Sequence, residues 1–268
     1  MAKKIDSHVQ ISKAIIKEFR LSKDDGNVYA LNLKTLKISV KGPRKIGTIN
    51  GYYNAEVEKE LSDIYETPVG NIIKTLKDVF DCLVTSKPIP SVLDSDVENF
   101  LIRFQFKLMS RDPSILEGSY EKSVIAKGLG IKPTNSGFSK IVDKTNPEVL
   151  FKGYRVLCIF NTSSKSFVSS ISGYCVRGSD PSSKQMKLFL PLGPKIALHF
   201  VDGETYQSKY AGQEYWLIDN SSINYVESIN NWILEHAIKN SNDDIYSNDR
   251  DELERLNNSI TPPTLQLG

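Results

Sequence analysis

Two polar side chains fall where a helical pattern would place apolar ones. From about residue 95 apolar residues recur at helical spacing, and Arg111 continues their stripe while Gln105 lies at its edge. Burying a polar group without a partner costs about 1–3 kcal/mol, so a polar residue on such a stripe indicates a specific role. A guanidinium grips phosphate or carboxylate through paired hydrogen bonds, and an amide can orient a bound group. Gln105 and Arg111 are therefore candidate catalytic residues.

His8 is the third candidate catalytic residue. A capping-box spacing and the apolar residues after it predict a helix from about His8 to Arg20. In that helix the imidazole would lie in the first turn, where the positive helix terminus and partial burial both disfavour its protonated form. His8 would then serve as acid or base, with Arg111 as the phosphate fork and Gln105 as an orienting donor. These roles predict a phosphate-handling pocket, nuclease-like or nucleotide-binding.

A structural interpretation of the same residues stands beside the functional one. Arg111 would cap a helix carbonyl or pair with a carboxylate, and His8 would join a helix cap. Asn230, on the apolar stripe of a helix predicted from about Ser222 to Lys239, would bond the backbone of a loop. With Glu58, Asn230 would belong to a buried structural polar network. The protein would then be a non-catalytic protein-binding or inhibitory module.

The remaining chemistry-bearing residue types form no motif. His8, His199 and His236 are scattered, so no metal site is predicted, and packing is the favoured role for the last two. No phosphate-binding glycine loop, nucleophile elbow or zinc-protease signature occurs. Three widely spaced cysteines predict reduced thiols. The cofactor therefore stays unknown, and whether the protein is an enzyme stays open.

Charge is distributed unevenly, although the formal net charge is only +2. Residues 1–45 hold eleven Lys and Arg against four Asp and Glu, whereas residues 241–268 hold two against six. A predicted hairpin and the turn after it carry five cations that would bind a polyanion such as nucleic acid or a nucleotide: Lys34, Lys37, Lys41, Arg44 and Lys45. A solvated basic surface is the alternative, and the acidic C-terminal part could meet a protein partner.

The elements that must position these residues follow from sequence periodicity. Helical patterns predict two packed helices separated at Pro68 and a further helix from about Ser95. An antiparallel pair of strands is predicted at 28–33 and 36–40, with Leu36, Ile38 and Val40 facing inward. Five more strands, joined by short turns, are predicted at 154–160, 166–170, 174–177, 187–190 and 196–201. The predicted class is α+β, with an antiparallel sheet of about five strands covered by helices starting near His8, Ser95 and Ser222.

The predicted organisation is one domain over residues 1–256 and a flexible tail at 257–268. Within the domain, a helical and hairpin part covers residues 1–146, and the sheet with its closing helix covers 147–256. No segment reaches the ~20 apolar residues of a membrane-spanning helix, and no secretion signal is recognisable at the first residues. We therefore expect a cytoplasmic protein that does not associate with a membrane.

Five short motifs, taken in order, resemble those of the bacterial family catalogued as domain of unknown function 4238. They are a segment from His8 to Phe19, Gly51-Tyr52-Tyr53 with Glu58, a helix with Gln105 and Arg111, Phe167-Val168-Ser169-Ser170, and Pro191-Leu192-Gly193-Pro194. The resemblance spans roughly residues 8–247 and ends in a helix that carries Asn230. It implies an association with mobile or phage-defence gene clusters and carries no established activity.

The chain departs from this family pattern at three places. Ile11 stands where the family has Pro, Gln105 and Arg111 are farther apart, and Ile171 occupies the position of an expected Asp. If the His, Gln, Arg and Asp of the family form an active site, this chain has lost one member. The departure favours the non-catalytic alternative.

Overall fold

The described part of the molecule combines helices with two larger sheets, which is the predicted α+β class. A computed structural model of the chain describes residues 6–8, 11–22, 24–50, 59, 61–91, 93–110, 153–177, 187–240 and 244–260. These residues include a five-stranded sheet, a four-stranded sheet and a two-stranded pair. The predicted flexible tail lies outside the described residues from position 261 onward.

The N-terminal elements are short. In chain order they are β1 (Asp6–His8), α1 (Lys13–Glu18), β2 (Val28–Asn32), β3 (Lys37–Lys41), a 3-10 turn (Pro43–Lys45) and β4 (Thr48–Asn50). The prediction that a helix begins near His8 is wrong, because His8 lies in β1 opposite Thr48 of β4. The helix begins only after Ser12, whose backbone is extended and whose side chain accepts a hydrogen bond from the N–H of Ala14.

Two long helices follow. A π-helical segment, Ser62–Glu66, leads directly into α2 (Thr67–Val84), and α3 spans Ser95–Ser110. The predicted break at Pro68 is therefore absent, and the chain stays helical from residue 61 to residue 84. A proline in a regular α-helix clashes with the carbonyl one turn earlier, and the wider π turn before Pro68 provides room for its ring. The predicted start of α3 near Ser95 is confirmed.

The larger sheet contains four of the five strands predicted between residues 154 and 201. It comprises β5 (Tyr154–Asn161), β7 (Cys175–Arg177), β8 (Lys187–Gly193), β9 (Ile196–Asp202) and β10 (Tyr215–Ile218) in the order β10-β5-β9-β8-β7. All its pairs are antiparallel except that of β10 with β5. The helix α4 (Gly203–Tyr210) connects β9 to β10, which run in opposite directions on either side of β5.

The smaller sheet was not predicted as a separate layer. It has the order β3-β2-β11-β6, in which β6 is Ser169–Ser170 and β11 is Asp244–Ser247. The segment predicted as the second strand of the large sheet thus pairs with β11 instead. Two helices flank β11 in the chain: α5 (Asn224–Lys239), the predicted closing helix, and α6 (Arg250–Ser259), which extends past the predicted start of the tail.

The three central strands of the large sheet, β5, β8 and β9, are buried on both faces, which explains why they are apolar almost throughout. One face packs with α1, α2 and α3, and contributes residues such as Val156, Leu190 and Phe200. The opposite face packs with α5 and contributes residues such as Ile159, Phe189 and Ala197. Both parts of the predicted domain therefore supply residues to the same core.

The β2–β3 hairpin forms as predicted, with Leu31 opposite Ile38 and Val28 opposite Lys41. Its predicted inward face is only partly correct. Ile38 packs against the core, but Val40 is 54% exposed. Lys41, predicted to face outward, is half-buried, and Leu36, predicted to face inward, lies in the turn before β3 with a φ of +53°. The alternation is incomplete because β3 is an edge strand, and an edge strand is covered incompletely.

Candidate functional site

Asn230 lies fully buried on α5, and each polar atom of its side chain has a partner. Its Nδ2 donates to the backbone oxygen of Ser166 at 2.9 Å and to Oε1 of Glu252 at 2.8 Å. Its Oδ1 accepts from the backbone N–H of Val168 at 3.0 Å. The interpretation that Asn230 bonds the backbone of a loop is confirmed, and the loop is the one between β5 and β6.

Glu252 on α6 is the buried charge of this network, and no sequence pattern indicated it. Two oxygens of its carboxylate accept hydrogen bonds from Arg255, and Lys165 Nζ lies 3.3 Å from Oε2. Burial acts to raise the pKa of this carboxyl. The hydrogen bonds from Arg255 and Asn230 and the charges of Arg255 and Lys165 outweigh burial, so the pKa of Glu252 is lowered.

The rest of the loop is fixed by its own polar groups. Lys195 Nζ donates to the backbone oxygens of Ser163 and Lys165 at 2.7 and 2.8 Å. Buried Asn161 donates to the oxygen of Lys165 and accepts from Ser163. Almost all of these bonds join a side chain to the backbone of the loop. The arrangement holds the loop in place and has the character of a structural network.

Gln105 is the one predicted catalytic residue whose side chain can be described. It is fully buried on α3, and neither amide atom has a hydrogen-bond partner in the described part of the chain. The neighbouring Phe104, Phe106 and Lys107 are also buried, so this stretch of α3 is enclosed on all sides. Lys107 lies over the Tyr65 ring at 5.4 Å.

The structure does not describe the other side chains of the predicted pocket. His8 is described only through its backbone in β1, and Arg111 and Glu58 lie outside the described residues. The convergence of His8, Gln105 and Arg111 on one pocket therefore stays a prediction.

The predicted polyanion-binding residues divide into two groups. Lys34 and Lys37 are exposed near the tip of the hairpin, and Arg44 and Lys45 are exposed on the 3-10 turn. Lys41, between them, is half-buried and forms an ion pair with Asp244, which also accepts from Asn32. The predicted continuous basic face is thus interrupted by a carboxylate of β11, a strand distant in sequence.

A second group of cations lies where α1 meets the 3-10 turn, and we call it the basic cluster: Lys13, Lys17, Arg44 and Lys45. Burial, then the charges of Lys17 and Arg44, lower the pKa of Lys13, while Glu66 acts in the opposite direction. Within the described chain no carboxylate forms an ion pair with any of these four cations. The spacing of four residues between Lys13 and Lys17 indicates that they share one face of a helix. The sequence does not indicate that Arg44 lies close to this face.

His199 packs as an aromatic ring. It is 5% exposed on β9, stacks on Phe189 with ring centroids 4.2 Å apart, and meets the edge of Tyr210. Neither ring nitrogen has a hydrogen-bond partner in the described part. Burial, reinforced by the charge of Lys187, lowers the pKa of His199 to about 3. His236 bonds Asn240, the residue that caps the C-terminus of α5, and contacts the Tyr174 ring, which is also a packing role.

The described residues contain no group of three or more His, Cys, Asp or Glu side chains that could hold a metal ion. Nor does any described helix combine the length and apolarity needed to cross a bilayer.

Comparison with models of protein families, with curated proteins and with solved structures gives no match. The resemblance to the domain of unknown function 4238 family therefore stays a prediction.

Proposed function

We propose that the protein is a non-catalytic nucleic-acid-binding protein whose main contact surface is the basic cluster. The observation that carries the proposal is the meeting of cations from two separate elements, α1 and the 3-10 turn, without ion-paired carboxylates among the described residues. Cations gathered this way repel one another, and phosphate groups of a polyanion would relieve that repulsion.

The neighbouring hairpin supports the same surface. Lys37 shares the face of the small sheet with Val28 and Ala30, which belong to the core cluster that also contains α1 residues. Lys37 therefore adds a cation on the side of the molecule that carries α1, beyond the Lys41–Asp244 ion pair. A surface of this kind recognises charge rather than base sequence.

Titration of a double-stranded DNA and of an RNA of equal length at two salt concentrations tests the proposal. Removing one cation that binds a phosphate should make the slope of log K against log salt shallower by about 0.9 for duplex DNA. Lys17→Gln with Arg44→Gln should therefore make this slope shallower by about 1.8 and weaken binding about tenfold at low salt.

The matched control is Lys74→Gln with Lys239→Gln, which removes the same charge from two exposed positions outside the basic cluster. If the two double variants weaken binding equally, net charge alone explains the affinity and the proposed surface is wrong. Absence of binding by the unmodified protein at low salt would remove nucleic acid as a ligand.

Gln105 favours a second candidate function, the phosphate-handling pocket. A buried amide without partners in the described part is the kind of group that a bound ligand would satisfy. If the pocket exists, Arg111→Lys impairs binding or hydrolysis of a nucleotide, because an ammonium cannot reproduce the planar guanidinium fork. A structural Arg111 would instead lower thermal stability, with any decrease in activity following the unfolded fraction.

A further inference from the structure

Two like-charged side chains lie opposite each other at the end of β7 and β8. Arg177 and Lys187 are directly paired in the antiparallel register, and both are exposed. Like charges at opposed positions destabilise a strand pair. Neither cation forms an ion pair with a carboxylate of the described chain. The pairing therefore requires some other compensation.

The indole of Trp232 on α5 supplies part of that compensation. The guanidinium carbon of Arg177 lies 4.7 Å from the ring centroid, and Lys187 Nζ lies 6.0 Å from it. Both distances are within the range of cation–π attraction. Trp232 packs against Phe189 at 5.4 Å, and Phe189 stacks on His199. The two cations are thus held together at the end of an aromatic stack.

We propose that Arg177 and Lys187 form a phosphate-binding site in which Trp232 is the positioning residue. The guanidinium fork matches two phosphate oxygens, and the lysine adds a point charge beside it. Stacking against the indole restricts the guanidinium before the ligand arrives and so lowers the entropy cost of binding. His199 stays neutral and extends the apolar support of the stack.

This site is separate from the basic cluster and does not rest on the proposed function. Trp232 packs on the face of the large sheet that carries Phe189, whereas the α1 residues pack on the face that carries Leu188 and Leu190. Phosphate reaches such a site from two sources, a free nucleotide or the backbone of a single-stranded nucleic acid. Single strands suit an isolated pair of cations better than a rigid duplex does.

The probes are a fluorescein-labelled oligo(U) RNA, followed by fluorescence anisotropy, and unlabelled AMP as its competitor. Arg177→Gln with Lys187→Gln should weaken oligo(U) binding about tenfold at low salt and make the salt slope shallower by about 1.4, or 0.7 for each contact. The matched control, Lys209→Gln with Lys239→Gln, removes the same charge from exposed positions on α4 and α5 and should leave the slope unchanged.

Trp232→Leu separates positioning from charge, because it removes the ring and keeps both cations. It should weaken oligo(U) binding, whereas Trp232→Phe should retain most of the affinity. Thermal melts of both variants show whether the fold persists, and the Phe variant keeps the test decisive if the Leu variant unfolds.

Competition by AMP would assign the site to nucleotides, and binding of oligo(U) without AMP competition would assign it to the nucleic-acid backbone; either supports the proposal. The proposal is overturned if Arg177→Gln with Lys187→Gln behaves like its control, or if the unmodified protein binds neither probe. Parallel titration of the Lys17→Gln, Arg44→Gln protein separates the two surfaces. If only the Lys17→Gln, Arg44→Gln protein binds more weakly, the proposed function stands and the second site is rejected. If only the Arg177→Gln, Lys187→Gln protein binds more weakly, the second site stands and the proposed function is rejected.

Discussion

At the scale of single residues, Asn230 on α5 connects the β5–β6 loop to Glu252 on α6. One side chain bonds two backbone groups of the β5–β6 loop and one buried carboxylate. These partners come from separate segments of the chain, and the amide joins them. A polar residue on the apolar stripe of a helix here has a structural role.

Asn230→Ala should lower the free energy of unfolding by about 3 kcal/mol, because it leaves the Val168 N–H, the Ser166 oxygen and part of the Glu252 carboxylate without partners. Chemical denaturation followed by circular dichroism measures the change. Asn258→Ala, at an exposed position on α6, is the matched control and should change stability by less than about 0.5 kcal/mol. Equal effects of the two substitutions would contradict the structural role of Asn230.

His199 leads to a prediction about pH. Its pKa is lowered to about 3 in the folded protein from the ordinary value of 6.5, so the unfolded chain binds the proton more readily. Stability contributed at this site is therefore present above pH 6.5 and is lost as the pH falls toward 3. Relative to His199→Phe, the unmodified protein should lose about 2 kcal/mol between about pH 7 and pH 5.

Denaturation of both proteins at the two pH values measures this difference. At neutral pH the Phe variant should be as stable as the unmodified protein or slightly more stable, since it removes two buried nitrogens without partners in the described part. A hydrogen-bonded or charged His199 would instead make the Phe variant less stable at every pH.

At the scale of elements, the close approach of Gly173 to the residues just before α1 fixes the chain between β6 and β7. A Cβ on Gly173 would lie 2.8 Å from Cδ1 of buried Ile11, and the residue has a φ of +78°. Gly153 has the same φ, but nothing lies within 4 Å of its hypothetical Cβ. The two glycines therefore share a left-handed backbone, which would strain any side chain placed there, and they differ in packing.

Gly173→Ala should be more destabilising than Gly153→Ala by about 1–3 kcal/mol, which is the usual cost of overpacking a core. Thermal or chemical denaturation of the two variants gives the difference directly. If both variants lose the same stability, the left-handed backbone alone accounts for the effect and Ile11 has room to move.

Local patterns predicted most element types but not how the elements assemble. Runs of strand-forming residues between short turns located β5, β7, β8 and β9, yet they could not indicate that the segment of β6 turns away to pair with β11. That turn depends on Asn161 and Asn230, the second of which is far from the loop in the sequence. The predicted helix start near His8 is wrong because Ser7 lies in β1, and Ser12 provides the cap.

For the candidate site, too, the sequence predicted the properties of single residues but not their partners. Residue type and spacing indicated that Gln105 and Asn230 would be buried, and both are. They could not distinguish a fully bonded amide from one without partners in the described part, since that depends on atoms contributed by other elements. Arg177 and Lys187 were missed because a cross-strand pair is defined by register, which the sequence alone does not give.

At the scale of the whole molecule, the three cysteines lie in two environments, one at the surface and two in the core. Cys82 on α2 is partly exposed, whereas Cys158 and Cys175 are buried in the large sheet. Burial raises the pKa of Cys158 and raises that of Cys175 to about 12. A thiol reacts as its thiolate, so the two buried groups are inert in the folded state.

A thiol reagent added to the native protein should therefore modify Cys82 rapidly and the other two cysteines only as fast as the large sheet opens. Absorbance of the released chromophore, with mass spectrometry to locate the label, measures both phases. Denaturant should accelerate the slow phase and leave the fast phase unchanged. Rapid modification of all three thiols in the absence of denaturant would contradict the packing of the sheet.

The position of β11 between β2 and β6 has a consequence for biosynthesis. Asn32 and Asp244 are neighbours in the small sheet although they are 212 residues apart in the chain. The ribosome synthesises the chain from its N-terminus, so the edge of β2 that pairs with β11 stays unpaired until β11 has been synthesised. Interactions of such high contact order form late, and an exposed strand edge favours association with other chains. The nascent polypeptide should therefore need protection from aggregation until β11 has left the ribosome and paired with β2.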